Sequence, residues 1–141
     1  MTAVEALAGA VVGSLITGGF WVGRYFLTEH REKEQLERMF HTELSHMDIF
    51  RDLDEIPMKK FPDPSAFPTI IFESNAGKMG ILEQEHRHSL HAFYSYLDIT
   101  KTMMRQEIES SEENIDTREK IRYNLDSLRE RREILLSELE Q

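Results

Sequence analysis

Between Glu5 and Arg24 the chain runs for eighteen residues, ALAGAVVGSLITGGFWVG, without a single charged side chain. Wound as an α-helix, such a run rises about 27 Å, close to the roughly 30 Å hydrocarbon core of a bilayer. Ala3 and Val4 can lengthen it at one end, and Tyr25, Phe26 and Leu27 at the other, because the stem of Arg24 can lie along apolar surface while its head reaches water. A cleaved secretory leader would place basic residues before the run and small residues at its end; this run is preceded by MTAVE and closes on FWVGRYF. Aromatic residues at that end suit the headgroup region. Gly9, Gly13, Gly18, Gly19 and Gly23 weigh against a helix buried in a water-soluble core, where each costs about 1 kcal/mol relative to alanine. Membrane helices use glycine for close approach. The stretch is therefore predicted to span a membrane.

Its flanks set a direction. No Lys or Arg precedes the run, whereas Arg24, Arg31, Lys33 and Arg38 follow it. By the positive-inside rule the N-terminus lies outside and the remainder in the cytoplasm. Ala6, Ala10, Gly13 and Thr17 recur at helical spacing along one face, and Gly9 to Gly13 and Gly19 to Gly23 match the GxxxG pattern. That face is a candidate surface for association with a second span.

The rest of the chain is dense in charge. It holds all 17 Lys and Arg residues and all but one of the 26 acidic residues. Net acidity argues against nucleic acid as a partner, since binding phosphates needs clustered cations. Without cysteine there are no disulfides, thiolate nucleophiles or Cys-ligated metals.

From Leu27 to Ile56 no Pro or Gly interrupts a sequence of helical composition, and Leu36, Phe40, Leu44 and Met47 form an apolar stripe with Met39, Phe50 and Leu53 beside it. One helix is predicted to continue from the span up to Pro57. Pro57, Pro62, Pro64 and Pro68 then mark an extended connector; no two stand at PxxP spacing. A short helix is expected from Thr69 to about Lys78, closed by a left-handed Gly80, and a long one from Glu83 to about Glu109. After the polar SSEEN turn, Asp116 and Glu119 resemble a capping box. The last helix then shows Ile121, Leu125, Leu128, Leu135 and Leu139 as a seam, with Arg132 in its one gap.

The predicted class is all-α: an N-terminal transmembrane helix continuing into a small antiparallel cytoplasmic helical bundle. Its parts are a tail and span (1–27), a charged helix leaving the membrane (28–56), a Pro-rich connector (57–68) and a bundle domain (69–141). In layout, and in Phe72, Asn75, Met79, Gly80 and Leu82 followed by Phe93, Tyr94 and Ser95, the chain resembles an uncharacterised group of small bacterial single-pass membrane proteins. Those residues match a signature F-x-x-N-x-x-x-[ILM]-G-x-L followed by F-Y-S. The resemblance implies a membrane-anchored cytoplasmic helical domain and carries no activity with it.

Two clusters invite chemistry. Glu85, His88 and His91 lie three residues apart and could present metal ligands on one helix face; a solvated face explains them as well. Asn75, Gly77 and Lys78 precede a helix N-terminus and could hold a small anion, or could serve packing alone. Phe93, Tyr94 and Tyr96 read as bundle core and rim, and the RERR run at 129–132 as a solvated face with pairs such as Arg129 to Glu133. No nucleophile array or phosphate loop stands out, so the sequence reads as a non-enzyme with no cofactor. It is expected to act as a membrane-anchored interaction and assembly module, with the lipid bilayer, further copies of itself and a protein as partners. The alternative is a small-ligand-sensing membrane effector whose soluble part controls association of the spans.

Overall fold

The computed structural model describes the backbone of residues 3–57 and 60–140, and within these the side chains from residue 18 onward. Among the described residues the chain is all helical, without strands: α1 (Ala3–Ser45), α2 (Ile70–Asn75), α3 (Gln84–Glu109) and α4 (Ile115–Leu139), joined by short 3₁₀ turns. It divides into two compact units, Met1–Gln35 and Leu36–Gln141.

The first unit is helix throughout its described length. Its side chains meet mainly their own neighbours along the helix. Thr28 donates to the carbonyl of Arg24 at 2.8 Å, His30 lies 3.3 Å from Glu34, and the rings of Tyr25 and Phe26 meet edge to face. Phe20, Trp21, Val22, Tyr25, Phe26 and Leu27 are all more than half exposed. Among the described residues no helix is long and apolar enough to cross a membrane. The larger part of the charge-free run, with its small-residue face at Ala6, Ala10, Gly13 and Thr17, lies outside the described side chains.

The second unit is built on the stripes legible in the sequence. Leu36, Phe40 and Leu44 of α1 bury against Leu90, Phe93, Tyr94, Leu97 and Met104 of α3 and against Ile121, Leu125, Leu128 and Leu135 of α4. The α3–α4 hairpin is antiparallel: Tyr96 bonds Asn124 and Glu107 bonds Arg118 across it. The end of α1 is also antiparallel to α4, with Leu44 near Arg132 and His41 near Glu140. Towards α3 it runs parallel, pairing Glu37 with His86 and Glu43 with Tyr94. The expected antiparallel bundle is thus corrected in one pair. Residues 46–83 carry the chain back along the bundle, so α1 and α3 point the same way.

Four local expectations change. The first helix stops at Ser45 and does not reach Pro57. Beyond it Met47, Phe50 and Leu53, three apart and fully buried, enter the core through 3₁₀ turns at Asp48–Phe50 and Leu53–Glu55. Three residues per turn is the 3₁₀ repeat, which stacks such a series on one side. The Pro-rich segment is packed: Pro62, Pro64 and Phe67 are buried, and Asp63 caps a 3₁₀ turn at Pro64–Ala66. Hydrogen bonds from the Ser65 hydroxyl and amide hold the Asp63 carboxyl below its ordinary range. Gly80 takes no left-handed conformation; a 3₁₀ helix, Ala76–Ile81, runs through it. Finally, α4 is capped by Asn114, whose side chain accepts from the amide of Thr117, and Asp116 stands inside the first turn.

Candidate functional site

Asn75 is buried, and its side-chain amide donates to the carbonyl of Ile71 one turn back at 2.8 Å. The bond lies within α2 and commits the amide there. Gly77 and Lys78 are exposed, and a Cβ on Gly77 would meet nothing within 4 Å. Close helix packing therefore does not account for that glycine. The three residues do not form one cradle: one faces the core and two face outward.

Nor do Glu85, His88 and His91 converge. Among the described residues no three His, Cys, Asp or Glu side chains gather into a metal-holding group. His91 sets its ring edge on Phe72 at 5.5 Å, and His88 lines a groove between α3 and α4. The neighbouring His86 lies 3.0 Å from Glu37, tying α3 to α1. Phe93 and Tyr94 are buried as expected, while Tyr96 is half-buried and donates to Asn124 at 2.6 Å. Arg129 turns to Asp54 at 2.9 Å and to Asp126 at 3.1 Å.

Arg132 apart, the charged residues that matter most inside the second unit were not the ones the sequence drew attention to. Glu43 is 5% exposed. Its carboxylate accepts from the Tyr94 hydroxyl at 2.6 Å and from the backbone amides of Ile71 at 2.6 Å and Phe72 at 3.4 Å. A negative charge at the first turn of α2 satisfies amides that have no partner within the helix. Burial first, then the hydrogen bond to Glu43, raises the Tyr94 phenol far above its ordinary range, so it is a fixed donor. Its ring stacks on Phe72 at 4.3 Å, next to Phe40.

Lys101 and Arg132 repeat the pattern. Lys101 donates to the carbonyl of Phe67 at 3.1 Å, pinning the Pro-rich segment to α3. Arg132 donates to the carbonyls of Leu44 at 2.6 Å and Ser45 at 3.2 Å, filling the end of α1. Burial, then the neighbouring Arg51, pulls its guanidinium below the usual range. At the α3–α4 corner, buried Glu107 accepts from Arg118 at 2.8 Å and from the amide of Asn114 at 3.1 Å, and those two donors lower its carboxyl.

The signal for these residues was present. Glu43 falls seven residues after Leu36, and Lys101 four after Leu97 and three before Met104, so both sit in register with an apolar stripe. A charge in such a register has to find partners inside, and here each finds backbone. These bonds are ties between elements.

No protein-family model, no curated protein and no solved structure matches the chain.

Proposed function

We propose that the chain is a membrane-anchored assembly module. The first unit supplies the anchor, with the N-terminus outside a bacterial inner membrane, and the second unit is an acidic helical bundle held at the cytoplasmic face. The observation that carries this reading is the exposure of Phe20, Trp21, Val22, Tyr25, Phe26 and Leu27, each 55–66% accessible. Continuous with a charge-free run, such a girdle calls for an apolar cover, and a bilayer with its interface supplies one. Arg24, Arg31, Lys33 and Arg38, all on one side of the run, favour the orientation.

Assembly is the action such a design supports. Gly18, Gly19 and Gly23 have open space beside them, so no contact within the unit uses their lack of a side chain. A neighbouring helix can use it, and the face of Ala6, Ala10, Gly13 and Thr17 extends the same opportunity. The ligand-sensing alternative gains nothing from Asn75, whose amide is committed within α2.

The test is alkaline extraction of membranes from cells making the full chain. Retention in the pellet is expected, together with loss of self-association in a two-hybrid membrane reporter on Gly13→Leu. Release into the supernatant would overturn the anchor. Unchanged association of Gly13→Leu would overturn the small-residue face.

A further inference from the structure

We infer that the outer face of α4 pairs with the same face of a second copy of this chain, about a two-fold axis passing between Ile134 and Leu135. The inference rests on the assembly reading for one thing only: a shared membrane that brings two bundles together.

Between α3 and α4 lies an open groove of about 540 Å³, lined by His88, Ser89, Ala92, Arg131, Ile134 and Leu135. Leu135 is buried at its base, whereas Ile134 stands 59% exposed at its lip. At roughly 100° per residue, Arg131, Ile134 and Glu138 fall within an arc of about 60° on α4.

The two charges flanking Ile134 are both left short. Arg131 rests its guanidinium 5.6 Å from the centre of the Tyr96 ring, and among the described residues no carboxylate comes within ion-pair distance of it. Glu138 has an oxygen, Oε2, that is buried and without a hydrogen-bond partner. Seven residues put the two about 10.5 Å apart along the same helix, with Ile134 between them, so they do not serve each other.

A second copy offers the exposed Arg131 the carboxylate it lacks. In an antiparallel pairing about that axis, Arg131 and Glu138 stand equally far on either side. Each arginine therefore faces the glutamate of the other copy, and a two-fold axis makes the contact twice. The same operation lays each Ile134 against the other copy's groove. Only the last turns of α4 take part, so the interface is small. Tethering in one membrane supplies the effective concentration that a small interface needs.

The absence of cysteine makes a direct test available. Ile134→Cys introduces the only thiol into the full chain, which is reconstituted in phosphatidylcholine vesicles and oxidised. A covalent dimer is expected. Arg131→Glu or Glu138→Arg in that background lowers its yield roughly ten-fold, since two attractive pairs become repulsive, and the double reversal restores it. Circular dichroism confirms that each variant folds, and recovery in the double variant answers the case in which a single reversal merely unfolds the bundle. Failure to cross-link at 134, indifference to the single reversals, or no recovery in the double variant would overturn the inference. Thr17→Cys serves as the separate reporter for the span. Cross-linking at 17 without charge-sensitive cross-linking at 134 overturns the α4 interface and leaves the assembly reading standing. Charge-sensitive cross-linking at 134 without any at 17 supports the interface and removes the span face.

Discussion

Residues 20–27 and residues 36–53 are both rich in large apolar side chains, and the structure treats them in opposite ways. Leu36, Phe40, Leu44, Met47, Phe50 and Leu53 are at most 3% exposed, while Phe20, Trp21, Val22, Tyr25, Phe26 and Leu27 are each more than half exposed. Both sets begin on α1. The difference is periodicity. The second set recurs on one side and can face a core; the first is apolar on all sides, which no single partner face covers. Apolar content marks what has to be covered, and its spacing marks whether the chain covers it alone.

The sharpest way to break that contrast is to cut one ring from each set. Phe40→Ala removes a fully buried side chain touching Phe72 and Tyr94. It is expected to lower the unfolding free energy of the bundle by about 3–5 kcal/mol in urea titrations. Phe26→Ala is expected to leave that free energy within about 0.5 kcal/mol and to weaken retention in membranes instead. Equal losses of stability would erase the distinction.

A smaller effect sharpens the account of buried charge. Glu43→Ala leaves the Tyr94 hydroxyl and the amide of Ile71 without their acceptor, at a cost of about 3 kcal/mol by the same titration. Glu43→Gln retains an acceptor and should lose less.

Acid acts at the other end of the bundle. The Glu107 carboxyl is held low by Arg118 and Asn114, so the stabilisation it contributes is complete above the unfolded-chain value of about 4.3. It fades as pH falls through the lower value of the folded chain. Melting temperatures of wild type and Glu107→Gln should therefore differ most near neutrality and converge in strong acid. A constant gap would mean the carboxylate's charge contributes nothing there.

The smallest change concerns glycine. Gly80→Ala meets no atom within 4 Å and no left-handed backbone. It should stabilise by about 0.4–1 kcal/mol, because it restricts the unfolded chain.

How much of this was legible follows from the same contrast. The limits of α3 and the start of α4 could be read to within a residue or two, because their stripes are long and the SSEEN turn is strongly polar. The point where α1 ends could not be read from local preference. Residues 46–56 are helical in composition, and what takes them out of the α-helix is burial of a series spaced by threes together with a donor from α4. The packed Pro-rich segment was misjudged for a similar reason: proline content gives local shape, whereas the placement of Phe67 depends on Phe50 and Lys101 elsewhere in the chain. Of the candidate site residues, the sequence placed Asn75 and the histidines on the right elements. It could not say which way each turned, since in a short helix a residue's facing depends on the neighbours that arrive. The interior charges were visible as interruptions of the stripes; Arg132 was noted in the gap of its seam yet read with the RERR run as solvated, and its burial corrects that reading.

Arg132 has a further consequence, in the order of synthesis. The carbonyls it binds belong to residues 44 and 45, made long before it. Until α4 has left the ribosome, the end of α1 lacks the donor that closes it, while the charge-free run is already complete. Closure of α1 is therefore a late event: its first residues are made well before α4, and its last carbonyls find their donor only after residue 132 has been made.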